Sequence, residues 1–158
     1  LTKTGKDELT FLFTANLGEP IRPLLKVASG GELSRVALAI KTVLLNASGV
    51  PTMVFDEIDT GVGGVTAQKM ADKIAVIAKV GQVLCITHLP QIASFADRHL
   101  LIRKESTGGR TSTGLTVLDE EGRIQELMRM TVGDNVSEVA YANAKELLAA
   151  AAKNKQAR

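Results

Sequence analysis

The sequence predicts an α/β fold in which a mainly parallel sheet is flanked by helices. Two stretches and the segment between them carry that prediction. Thr52-Met53-Val54-Phe55-Asp56-Glu57 and Gln82-Val83-Leu84-Cys85-Ile86-Thr87-His88 are short apolar runs, as buried parallel strands show, and each ends in polar chemistry. Between them, residues 65–80 repeat Ala67, Met70, Ala71, Ile74, Ile77 and Ala78 at helical spacing and stop at Gly81. Strand, helix and strand in that order call for a right-handed crossover between parallel neighbours.

The remaining elements follow in chain order. Residues 8–14 alternate, with Leu9, Phe11 and Phe13 on one side, and predict a strand with one covered face before a turn at Gly18-Glu19-Pro20. Residues 21–27 contain Pro23 and read as extended chain or an edge strand. A helix is predicted over residues 30–46, with Leu33, Val36, Ala37, Ile40, Val43, Leu44 and Ala47 as its core stripe. Leu38 and Leu45 lie off that stripe, either for a second surface or for burial on two sides. Pro90 suits the first turn of a short helix over residues 90–96. Strands at residues 100–104 and 115–118 are joined by a polar glycine-rich loop, residues 106–114. A turn at residues 119–122 leads into a helix over 123–130, and Asn135 with Glu138 has capping-box spacing for a last helix from about residue 136 to 153.

Composition bounds the function. The 158 residues suit one domain, residues 1–158, and a hydrophobic content of 45% supports a core. A net charge of +2 without a dense Lys/Arg block lacks the footprint of a stand-alone nucleic-acid binder. One Tyr, four Phe and no Trp leave few base-stacking platforms. Cys85 is the single cysteine, which excludes an internal disulfide and suits a reducing cytoplasm. No apolar run approaches the roughly 18 to 20 residues of a membrane span, so no membrane partner is expected. A start at Leu1 in place of Met is expected of part of a longer chain.

The candidate chemistry begins at Ser29-Gly30-Gly31-Glu32. Each Gly costs about 1 kcal/mol relative to Ala inside a helix, so two in the first turn need a reason. Ser29 and Glu32 fit a capping box, and bare first-turn amides at the positive end of a helix admit an anion such as phosphate. The alternative is glycines packed against a neighbour. Asp56 and Glu57 end a strand at the edge where open α/β sheets place ligands. Asp56 suits Mg²⁺ held through water, and Glu57 suits orienting or deprotonating an attacking water. His88 ends the second strand.

Taken together, these residues resemble a known family. Ser29-Gly30-Gly31-Glu32 is similar to the signature motif of ATP-binding-cassette ATPases, residues 52–57 to a Walker B strand with its catalytic Glu, and His88 to the switch histidine. The run Ser29-Gly30-Gly31-Glu32-Leu33-Ser34-Arg35, with residues 55–64 and 85–93, resembles the SMC-like DNA-repair branch of that superfamily more than transporter cassettes. The resemblance covers residues 27–93 and resumes at 142–148. It implies ATP and Mg²⁺ as cofactors and a bacterial cytoplasmic, nucleoid-associated protein. Two heads would sandwich ATP, with Ser29, Gly30, Gly31 and Glu32 at the γ-phosphate of the opposite head and Asp56, Glu57 and His88 serving their own.

The phosphate loop G-x-x-x-x-G-K-[ST] is absent from this chain, whose one Gly-Lys pair is Gly5-Lys6. The chain therefore resembles the C-terminal lobe of a P-loop NTPase head of ABC/SMC type. Its implied partners are the N-terminal half, a second head, and DNA reached mainly through other parts. Alone it is expected to bind ATP weakly and hydrolyse it negligibly. A non-catalytic dimerisation module is the rival, against which stand Glu57 and His88. The family's further Asp after Walker B, which contacts the partner site, is matched here by Gly63, leaving Asp59 or the backbone for that contact. Two His and one Cys are too few and scattered for a zinc site, and His99 reads as solvated.

Overall fold

Residues 5–7, 9–14, 18, 20–44, 51–107, 110–135 and 137–156 are described by a computed structural model. It opens with β1 (Leu12–Phe13) antiparallel to β2 (Arg22–Pro23), then a one-turn helix, α1 (Leu24–Val27). The first strand is shorter than its alternation predicts. Leu9 and Phe11 are exposed rather than covered, since no described element packs on them. Residues 24–27 coil where extended chain was expected, because Pro23, at φ −53°, can lead into a helix as well as border a strand. Glu8 and Glu19 lie outside the described residues.

Helix α2 (Gly30–Val43) starts where the capping box predicts, but its burial reverses expectation. Leu38, set off the expected stripe, is in the core at 4% exposure, whereas Ala37, Ile40, Val43 and Leu44 are exposed, Val43 at 83%. Apolar residues occur around most of this helix, so its pattern allows more than one buried face; the face that packs is the one met by α3 (Gly64–Ile77). Leu45, Asn46 and Ala47 lie outside the described residues.

Strands β3 (Thr52–Phe55) and β4 (Gln82–Cys85) pair in parallel, Thr52 opposite Gln82 and Phe55 opposite Cys85, with α3 between them in sequence. The helix buries Ala67, Met70, Ala71, Ile74 and Ile77, as its periodicity predicts, while Ala78, also expected there, is half-buried at the C-terminal cap. These meet Phe55, Ile58, Leu38, Ile92 and Phe95 in the main core, with Met53, Val83 and Cys85 partly buried against it. The other face of the pair stays open, Val54 at 64% with Leu84 and Ile86 also exposed. The expectation of strands buried on both sides is corrected here: nothing among the described residues packs on the side that alternation gives to Val54, Leu84 and Ile86.

After α4 (Pro90–Ala93), β5 (Leu100–Thr107) and β6 (Arg110–Val117) form an antiparallel hairpin, Leu100 opposite Val117 and Thr107 opposite Arg110. Residues 106–114, expected as a loop, are therefore mostly strand. Cross-strand backbone pairing prevails over the weak strand propensity of a polar, Gly-containing run, and Gly108-Gly109 lie outside the described residues. Helix α5 (Glu120–Val132) starts three residues before the expected Arg123, because Asp119 caps it: its Oδ1 accepts from the Gly122 amide at 2.8 Å. Helix α6 (Glu138–Gln156) is capped by Ser137, which accepts from the Ala140 amide at 3.1 Å, and not by Asn135; Val136 lies outside the described residues. Ile124, Leu127 and Met128 of α5 pack on Ala140 and Ala144 of α6 in a second core. The fold is thus mixed α/β, one parallel strand pair beside two antiparallel ladders among the described residues. No described helix is long and apolar enough to cross a membrane.

Candidate functional site

The site is assembled at the C-terminal ends of β3 and β4. The pair ends level, and the Ile86 amide extends it by donating to the Phe55 carbonyl at 2.9 Å, so Asp56-Glu57 and Thr87-His88 leave the same edge of the ladder. Asp56 and Glu57 are both exposed there. Glu57 has φ +54°, in the left-handed region that costs a non-Gly residue about 1 to 3 kcal/mol, so the surroundings must hold it in place.

The holding contacts come from α2. Ser34 donates to the Asp56 carbonyl at 3.2 Å, and Arg35 Nη1 donates to the Ile58 carbonyl at 3.2 Å and the Thr60 carbonyl at 3.0 Å. At the start of that helix the capping box is closed on both sides: the Glu32 amide donates to Ser29 Oγ at 3.3 Å, and the Ser29 amide to Glu32 Oε2 at 2.7 Å. The bond from the Ser29 amide, then that from its side chain, and the nearby Arg35 charge outweigh desolvation and hold the Glu32 carboxyl below its ordinary value. Glu32 is thereby committed to the cap, and the Ser29 hydroxyl oxygen is held by the Glu32 amide.

The two glycines separate into different roles. A Cβ on Gly31 would stand 2.8 Å from the Glu57 carbonyl oxygen, so Gly31 is there for a backbone contact, the packing alternative raised by the sequence. Gly30 is exposed, and a Cβ on it would lie 3.5 Å from Glu57 Oε2, an ordinary contact. The open, bare amide end of the helix is therefore at Gly30, beside the Glu57 carboxylate.

Asp59 is the residue that sequence reasoning left without a defined part. It is 2% exposed, and its Oδ2 accepts from the Thr87 hydroxyl at 2.5 Å and the His88 amide at 2.9 Å, with His88 Nδ1 at 3.1 Å. It is turned inward among these donors, not presented at the surface. Ser34 and Arg35 were also missed as loop anchors; their local signal was two hydrogen-bonding side chains one turn into the helix. His99, expected to be solvated, is half-buried, and burial, with the Arg123 charge, holds its imidazole below the ordinary range.

A magnesium ion fits the donor set at Asp56. The carboxylate is a hard, exposed oxygen donor, and no group of three or more His, Cys, Asp or Glu among the described residues forms a protein cage. Mg²⁺ keeps several waters and takes one or two carboxylates plus phosphates, so a single Asp at a strand end suits it.

No family model matches the chain. It is 49% identical over 146 residues to the DNA repair protein RecN of Halalkalibacterium halodurans, covering 92% of this chain and 26% of that protein. The RecN proteins of Treponema pallidum and Bacillus subtilis are each 49% identical, over 152 and 148 residues, covering 96% and 94% of this chain and 26% of theirs. The chain thus spans about a quarter of the length of these relatives. A chain solved in work on ATP-driven dimerization and DNA stimulated activation of SMC ATPases overlays 72% of this one, with a TM-score of 0.48 and 24% identity.

Proposed function

As a homologue of RecN over about a quarter of that protein's length, the chain is, we propose, the C-terminal lobe of a two-part ATPase head in a bacterial DNA-repair protein. The observation that carries this reading is the shared edge of β3 and β4, from which Asp56, Glu57 and His88 emerge beside the Ser29-capped turn of α2. The open apolar face at Val54, Leu84 and Ile86 supports it too. Parallel strands are normally covered on both sides, and two strands make a poor sheet alone, so this face suits the N-terminal half.

In this reading residues 1–158 form one lobe and lack the loop that grips the phosphates. Asp56 would hold Mg²⁺, which when bound would neutralise phosphate charge. Glu57, fixed in its left-handed conformation, aligns the attacking water and takes its proton. His88 contacts the γ-phosphate from the other strand. Ser29 and the amides at Gly30 and Gly31 meet the γ-phosphate held by a second head, so ATP joins two heads and hydrolysis parts them. DNA binds mainly through other parts, and the protein works in the cytoplasm at the nucleoid.

The test is subunit mixing in the complete protein. Glu57→Gln should trap ATP-bound head dimers without turnover, and Ser29→Arg should block engagement while each head still binds ATP. Mixed together, the two dead variants should recover turnover, because one composite site then has both Glu57 and Ser29. No recovery would refute the arrangement across heads, and full turnover by Glu57→Gln would remove Glu57 as the base. The 158-residue chain alone should hydrolyse no ATP.

A further inference from the structure

Within one chain, two parts of the proposed site that serve different nucleotides are built as one unit. The Ser29-Gly30-Gly31 turn faces the nucleotide of a second head, and Glu57 is the base for the chain's own. A Cβ on Gly30 would lie 3.5 Å from Glu57 Oε2, and one on Gly31 would lie 2.8 Å from the Glu57 carbonyl oxygen, so the turn and the base are immediate neighbours.

Directional bonds join them. Ser34 and Arg35 of α2 hold the carbonyls of Asp56, Ile58 and Thr60, on both sides of Glu57, and the Glu57 carbonyl itself accepts from the Thr60 amide at 3.1 Å. Arg35 makes two of these bonds through one nitrogen, Nη1, and a charged donor binds a carbonyl more strongly than the Ser34 hydroxyl does. A left-handed backbone at a residue other than Gly lasts only where its surroundings impose it, and at Glu57 the side of α2 imposes it.

The clamp and the turn also share a helix. Ser29 caps α2 less than about two turns before Arg35, and the charge of Arg35 acts on Glu32, the other half of the cap. A small displacement of the capped turn as it meets a phosphate is therefore carried along the helix to the Arg35 bonds, and through them to residues 56–60. Glu57 is at the centre of that loop, where a shift of its backbone re-aims the carboxylate.

We propose that Arg35 is a positioning residue for Glu57 that relays the state of the Ser29 turn, so that seating the second head's nucleotide on the turn aims Glu57 at the nucleotide of its own head. Each base in a pair of heads is then set by the nucleotide it does not cleave. The relay rests on the arrangement across heads proposed above.

Pairs of the complete protein, each head with its own affinity tag and isolated through both, separate the two. With Glu57→Gln in the first head, all turnover comes from the second head's nucleotide, cleaved by the second head's Glu57 against the first head's Ser29. Ser29→Asp in the second head then faces only the silent nucleotide; aspartate keeps the helix cap, and its charge repels a phosphate. The working site remains whole, so turnover persists, but kcat per pair should fall about 5- to 20-fold with KM for ATP little changed. Unchanged turnover would overturn the relay, and no Arg35 variant has to fold for that result. Arg35→Gln in the second head should lower kcat similarly, and Arg35→Lys, which keeps a charged donor, should recover part of it. Added to Arg35→Gln, Ser29→Asp should cost less than about twofold further; an undiminished loss would show that the effect bypasses Arg35 and overturn its part. Ser29→Asp moved to the first head faces the working nucleotide and should abolish turnover. Full turnover there would instead overturn the arrangement across heads, and the relay with it.

Discussion

Adding a methyl group at Gly31 should destabilise the fold even though it improves the helix. Alanine is favoured over glycine inside a helix by about 1 kcal/mol, less in a first turn, so propensity alone predicts that Gly31→Ala stabilises. The new Cβ would stand 2.8 Å from the Glu57 carbonyl oxygen and 3.1 Å from Arg35 Nη1. The carbonyl is backbone, and its loop is pinned by Ser34 and by both Arg35 bonds, so relief must come from moving the loop or the helix. Overpacking of this kind costs about 1 to 3 kcal/mol, and charged hydrogen bonds lengthened by the movement add to it. The net loss should be about 1 to 2 kcal/mol, a fall in Tm of about 2 to 8 °C for a chain of this size. Gly30→Ala is the control: its Cβ would meet only Glu57 Oε2 at 3.5 Å, so it should be neutral or stabilising by a few tenths of a kcal/mol. Urea and thermal unfolding of the two variants beside the parent measure the difference. A Gly31→Ala protein as stable as Gly30→Ala would refute the close approach of α2 to the Glu57 loop.

Three more outcomes follow from individual side chains. Arg35→Ala should cost about 2 kcal/mol in urea unfolding, since two carbonyls lose a charged donor, and Arg35→Lys should restore only part because an ammonium does not reproduce the guanidinium geometry. Burial first, then the Asp59 and Asp56 charges, push the Cys85 thiol up to about 11; at pH 8 roughly one molecule in a thousand carries the thiolate, so iodoacetamide should label native protein far more slowly than protein in urea. The Asp59 carboxyl is depressed in the fold, so its contribution is complete above the unfolded value of 3.8 and is lost as pH falls through the lower folded value. Asp59→Asn should flatten stability against pH in that acid range, and an unchanged acid limb would count against its donors.

Where a signal was local, reading the sequence succeeded. The Ser29–Glu32 box is made by residues three apart, and α3 buries five of the six residues its spacing marks, the sixth, Ala78, being half-buried at its C-terminal cap. Where a choice depended on what lies opposite, the sequence misled. The apolar residues of α2 offered several faces, and Leu38 rather than Val43 went inside because α3 meets that side. Residues 106–114 look like a loop by composition, yet pairing of the backbone with residues 100–107 draws most of them into β6.

The residue types of the candidate site, and their order along the chain, belong to the sequence: a capped glycine turn, a strand ending in Asp56-Glu57, and a strand ending in His88. Which of these residues touch was decided by tertiary structure. Glu57 meets Gly31 across 26 positions and Asp59 meets His88 across 29, and neither contact exists until β3 and β4 pair in register and α2 settles on the loop between. Side-chain periodicity reports the environment of a residue along its own element; a hydrogen bond between two loops depends on strand register and helix placement, which no window of sequence contains.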